Sequence, residues 1–210
     1  MHTEWSAECG TNDPVLVVPW SDASDGVAFV DLRDDPGAID TIPEAEANPP
    51  LMQALRALNA ARSPVFTAKC DAWEMPEEER AQLRLELGFG IDRNDEDTGV
   101  FAGEEAGAVA FGFASYIDCV CRDLALFASF PRHEHLVRGI TRLATPFNQP
   151  NTALECVLRP AFVHLKAPQQ GYAVSVYMKA LDRSPQRAWK RWAAALEEVT
   201  ALLRRNENFR

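Results

Sequence analysis

Two apolar runs near the C-terminal end, residues 153–165 and 172–181, are joined by the short loop KAPQQG. Runs of β formers separated by a few residues ending in glycine make a hairpin, and a hairpin forces antiparallel pairing. The N-terminal part repeats the signal. Residues 15–20 and 27–32 are apolar runs on either side of SDASDG, and Pro19 marks the first of them as an edge position. Hairpins at both ends restrict the chain to an α+β fold: a largely antiparallel sheet of about five strands with helices packed on one face.

The helices are signalled by their starts and stops. Asn48 and Pro49 open a helix that carries Leu51, Leu55 and Leu58 inward and ends near Ala61. Residues 64–73 (PVFTAKCDAW) read as a strand, and Pro76 followed by Glu77, Glu78 and Glu79 opens a second helix that stops at Gly88. Pro131 begins another, with an apolar stripe of Leu136, Val137, Ile140, Leu143 and Ala144. Ser184 and Pro185 begin the last, which turns Trp189, Trp192, Leu196, Val199 and Leu203 inward. The proline-rich stretch 33–50 is expected to be an extended loop, and residues 1–13 a frayed end. FTAKCDAWEMPEEE and VYMKALDRSPQRA share a strand, turn, proline and helix pattern, which is a weak internal echo.

The central stretch 109–129 supports two readings. With period two, Val109, Phe111, Phe113, Ile117, Cys119 and Cys121 share a face. With period 3.6, Ile117, Val120, Cys121, Leu124 and Ala128 form an apolar stripe opposite Ser115, Asp118, Arg122 and Ser129. The helical period also accounts for the polar positions, so a helix over 115–129 is expected, preceded by a short strand at 109–113.

The net charge of −10 argues against a nucleic-acid binder and against adhesion to an anionic membrane. The charge is uneven. Residues 1–105 hold 23 acidic against 7 basic side chains, and residues 106–210 hold 8 against 14. Packing of the two halves against each other would neutralise both. No apolar run reaches the roughly 20 residues that span a bilayer. The first residues lack a signal-peptide pattern, and five cysteines with no framework spacing suit reduced thiols. A cytoplasmic, acidic, soluble protein is the resulting expectation, one domain over 1–210 with a mobile acidic loop near 88–107.

Candidate chemistry is sparse. Cys119, Cys121, His133 and His135 have the residue types of a zinc site. Their spacing on helices does not converge, so no metal and no cofactor are expected. Residues 94–105 echo a calcium loop with Asn in place of the first Asp, and a solvated loop is the expectation there. Walker, dinucleotide and nucleophile-elbow motifs are absent. Cys70 lies on a predicted strand and should be a buried, inert thiol. Asp118, Asp123 and His133 are the candidate catalytic group: two carboxylates and an inward histidine, which a small hydrolase or transferase would need around one cleft. Arg183, Arg187, Lys190 and Arg191 crowd the start of the last helix, where cations are unfavourable unless an anion joins them. With Arg122, they are the candidate ligand-binding residues. The function expected is non-catalytic binding of a protein partner, itself included as a homodimer, or of a small anionic ligand.

Overall fold

The computed structural model describes residues 1–22, 26–89, 110–205 and 209. Along the chain the strands are β1 (His2–Ala7), β2 (Leu16–Val18), β3 (Ser21–Asp22), β4 (Val27–Ala28), β5 (Val65–Glu74), β6 (Phe111–Cys121), β7 (Thr152–His164) and β8 (Pro168–Asp182). The α-helices are α1 (Pro43–Ala47), α2 (Pro49–Asn59), α3 (Glu77–Leu87), α4 (Leu124–Phe127), α5 (Phe130–Ala144) and α6 (Pro185–Leu203), and one 3-10 helix spans Pro36–Thr41. None of the described helices is long and apolar enough to cross a membrane.

The C-terminal hairpin forms as the sequence predicts. β7 and β8 pair antiparallel from Thr152 opposite Ala180 to His164 opposite Pro168. The sheet order is β1-β7-β8-β6-β5, with β2 also beside β7, so four of its strands are antiparallel neighbours. β1 and β2 run parallel to β7 and share its outer edge, facing residues 153–158 and 161–163 in turn. Pro160, which has no N–H to give to a ladder, falls where β1 has ended and β2 has not begun.

Several expectations are corrected. Residues 1–13 are not all frayed: His2–Ala7 is strand β1, because alternation places Thr3 and Trp5 under α5, where Thr3 Oγ1 meets Thr145 Oγ1 at 2.8 Å and the Arg138 guanidinium lies over the Trp5 ring. The N-terminal hairpin is displaced, since β2 leaves to join β7 and only Ser21–Asp22 and Val27–Ala28 pair. Of the stretch expected to be helical over 115–129, residues 115–121 belong to strand β6, paired on both sides, and only Leu124–Phe127 is helical. The period-two reading was the right one, because both faces of a central strand are covered and its polar positions find partners in neighbouring elements. The proline-rich stretch also holds more structure than a loop: the 3-10 helix and α1, each beginning at a proline.

Helices α2, α5 and α6 form one layer. α6 puts Trp192, fully buried, against Phe113 at 4.6 Å between ring centroids, and its indole N–H donates to Ser115 Oγ at 2.9 Å. α3 belongs elsewhere. Its Leu83 clusters with Met75, Ala114, Ala153 and Leu181. Ala114 is the neighbour of Phe113 on β6, so it points to the opposite face. Helices therefore do not lie on one face alone. α3 covers one end of the second face, and α4 covers part of the other end, where a Cβ on Gly171 would collide with Phe127. The two strand-to-helix units that echo each other in sequence, β5-α3 and β8-α6, thus send their helices to opposite faces.

Candidate ligand-binding cleft

The second face carries a polar row between its two covered ends. Lys69, Asp118 and Ser175 stand opposite one another across β5, β6 and β8. Asp118 is 5% exposed. Ser175 Oγ donates to Asp118 Oδ1 at 2.5 Å, Arg159 Nη1 donates to Ser175 Oγ at 3.2 Å, and Arg159 Nε pairs with Glu8 at 2.9 Å. Burial pushes the Asp118 carboxyl above its ordinary range, and the Ser175 bond with the charges of Arg159 and Lys69 opposes the shift without cancelling it. Tyr116 and Tyr177 flank this row, with ring centroids 5.6 Å apart.

The residues expected to form a catalytic group are not brought together. His133 is fully buried on the α5 side. Its Nδ1 faces Ser129 O at 3.2 Å and its Nε2 faces Cys121 Sγ at 3.5 Å. Cys121 and Asp118 lie an odd number of residues apart on β6, so they point to opposite faces of the sheet. Burial lowers the His133 pKa, which keeps the ring neutral. Asp123 caps α4, accepting the Leu126 N–H at 2.6 Å, and approaches Arg132 at 3.9 Å. Asp118 does not pair with Arg122 as a helix would have made it do, because four residues along a strand is far longer than one helical turn.

The strand also changes the cysteine geometry. Cys119 and Cys121 share a face, and His133 reaches one of them, yet His135 stays exposed. No group of three potential ligands occurs among the described residues. The Asn94–Glu105 calcium echo lies outside the described residues. Cys70 is half-buried rather than buried, and desolvation pushes its thiol up to about 12. The Glu134–Arg138 ion pair forms at 2.8 Å.

The cations of the last helix find an anion of the protein's own. Arg191 Nη2 and Nε contact Asp182 Oδ2 at 2.7 and 3.0 Å, Arg187 Nε contacts Asp182 Oδ1 at 3.2 Å, and the Arg183 N–H donates to the same oxygen at 2.7 Å. Burial alone would raise Asp182, but these donors outweigh it and hold the carboxyl below its ordinary value. The neutralising group is thus the last residue of β8, not the acidic N-terminal half. Arg187 and Arg191 are committed to it, while Arg183 and Lys190 have exposed side chains.

Arg122 is placed differently. It follows β6 and donates from Nε to Val65 O at 3.0 Å and from Nη2 to Asn59 O and Ala60 O at 2.9 and 3.2 Å. These bonds clamp the turn between α2 and β5. They are made to neutral carbonyls, and the nearby Asp31 carboxylate supplies part of the compensating charge. Burial and the nearby Arg33 lower the Arg122 pKa. Both guanidiniums line a cleft of about 740 Å³ at the strand ends of the second face. Phe66, Val120, Phe127 and Val163 give it apolar walls, Lys166 from the β7-β8 loop joins the rim, and Asp31 and Asp34 also line it. Arg33 lies 3.9 Å over the Phe66 ring and is paired with Asp31, with contacts of 2.8 and 2.6 Å. That pair holds Asp31 below its usual range.

Sequence reasoning found Arg122 but missed Arg33, Lys166 and Ser175. Asp31-Leu-Arg33 at a turn was a visible signal for a local ion pair. Ser175 inside the apolar run AVSVYM was a visible signal for a buried hydrogen bond. No family model, curated protein or solved structure matches the chain.

Proposed function

We propose that the protein is a non-catalytic, cytoplasmic binding protein that takes a small anion with an apolar body, a carboxylate or phosphate on a compact hydrophobic group, into the cleft beside Arg122. It acts without nucleic acid, membrane or cofactor. The observation that carries the reading is the guanidinium of Arg122 at a cleft of ligand size, with hydrogen bonds only to neutral oxygens while Phe66, Val120, Phe127 and Val163 offer an apolar wall. Of the five cations first expected to bind a ligand, Arg122 alone lines this cleft, and the anion site moves from the start of α6 to the ends of β5, β6 and β7. A hydrolase or transferase reading would need Asp118, Asp123 and His133 around one cavity, and their separation across the sheet favours binding.

Thermal-shift measurement with a graded series of carboxylates, from acetate to medium-chain and aromatic acids, tests the reading, with inorganic phosphate alongside. The melting temperature is expected to rise with the apolar size of the acid. Lys166→Glu should weaken the response, because it reverses a rim charge on an exposed loop without touching the Arg122 clamp. A wild-type protein that responds to no member of the series overturns the reading.

A further inference from the structure

The sheet has an outer edge on each side, and the two are guarded differently. On β5 the pairing register shifts between Thr67 and Lys69, a bulge that turns the strand. The Trp20 indole N–H occupies the Ala68 carbonyl at 2.8 Å, and the Lys69 ammonium lies 4.9 Å from the Trp20 ring. A bulge, a lysine and a covering side chain are the devices that keep an edge from pairing further. β2, on the other side, is three residues long and stands between Pro14 and Pro19. β1 has none of these. Its six residues pair with β7 without a break from His2 to Ala7, it contains no proline and no lysine, and no described strand lies along its other side.

We infer that β1 pairs antiparallel with β1 of a second copy of this chain, carrying the sheet across a two-fold axis. Alternation supplies the argument. A two-fold pairing that keeps the α5-covered faces together must be centred on a residue, not between two. Centring it on Glu4 would set two carboxylates directly opposite each other, which is unfavourable. Centring it on Thr3 sets each His2 opposite a Glu4 on the polar face. On the α5 face it sets Thr3 opposite Thr3 and Met1 opposite Trp5. The axis repeats the His2–Glu4 pair, an imidazole facing a carboxylate it can hydrogen-bond, and the apolar Met1–Trp5 pair on each side of the single central Thr3–Thr3 pair. The strand pair alone is smaller than the roughly 1,200 Å² of a stable interface, so association depends on concentration.

Sedimentation velocity of the full chain over a concentration series tests this. The average mass is expected to rise from 23.3 kDa toward twice that value. Glu4→Lys, at an exposed position that leaves the core intact, should raise the dimer dissociation constant about fivefold to tenfold. The double variant His2→Glu with Glu4→Lys restores opposite charges across the axis and should recover association. Circular dichroism shows that each variant is folded. A wild type that stays monomeric at every concentration overturns the inference. So does association that Glu4→Lys leaves unchanged, because the copies then meet elsewhere.

Discussion

The two faces of the sheet are built from the same strands, and they are held by different forces. On one face Phe113, Ile117, Cys119, Cys156, Val174 and Met178 are buried beneath α2, α5 and α6. There the attraction is the removal of apolar surface from water, about 1.5–3 kcal/mol for each large side chain fully buried. On the other face Tyr116, Asp118, Glu155, Ser175, Tyr177 and Lys179 are joined by hydrogen bonds and ion pairs, with apolar cover only at the ends. The difference teaches that apolar burial and polar pairing have been separated between the two faces. The apolar face supplies most of the buried apolar surface, and the second face keeps a buried carboxylate, a half-buried guanidinium and an open cleft.

The contrast can be broken most severely on the apolar face. Trp192→Ala removes a fully buried indole and leaves Ser115 without its donor, and it should cost about 4 kcal/mol, read from urea unfolding. The Asp182 clasp is the next test. Asp182→Ala strands Arg191, whose side chain is 23% exposed, and should cost about 2 kcal/mol, less than a fully buried pair. Because Asp182 is held below its unfolded value, its contribution is present above the unfolded pKa and fades as pH falls through the folded one. Gly171→Ala forces a methyl into Phe127 and should cost about 1–3 kcal/mol while loosening α4, which hydrogen exchange would register.

Asp118 sharpens the comparison through pH. Its folded pKa is raised, so its contribution is fully present below the unfolded pKa and is lost as pH rises through the folded value. Asp118→Asn keeps an acceptor for Ser175 and has no charge to bury. Its melting temperature relative to wild type should therefore climb from acid to neutral pH. A difference that stays flat with pH would remove the account of a strained carboxylate. The smallest effect is expected at the half-buried Lys179–Glu155 pair of the second face. Lys179→Ala breaks the 3.0 Å pair with Glu155, and a change of about 0.5 kcal/mol or less in unfolding free energy is expected.

Local chemistry made some of this legible in advance. Proline and glycine punctuation located α2, α3, α5 and α6, since Pro49, Pro131 and Pro185 at helix starts and Gly88 at φ +61° act within a few residues of themselves. The β7-β8 hairpin was legible because its loop is short. β6 was not, because its apolar residues satisfy both periods. The choice was made by β5 and β8, which pair with it from 39 or more positions away in the chain. The same holds for the site. Arg122 could be named as a cation, but only the approach of β5, β7 and Arg33 makes a cleft around it.

The sequence by itself determined the starts of α2, α3, α5 and α6, the C-terminal hairpin and the excess of negative charge. Tertiary structure alone decided that residues 2–7 become a sheet strand, that Asp118 and His133 fall on opposite faces, and that the cations of α6 close on Asp182. The physical reason is range. Dihedral preference and capping act over one turn, whereas pairing and burial depend on which distant segments meet, and a single residue's shift in strand alternation sends a side chain to the other face.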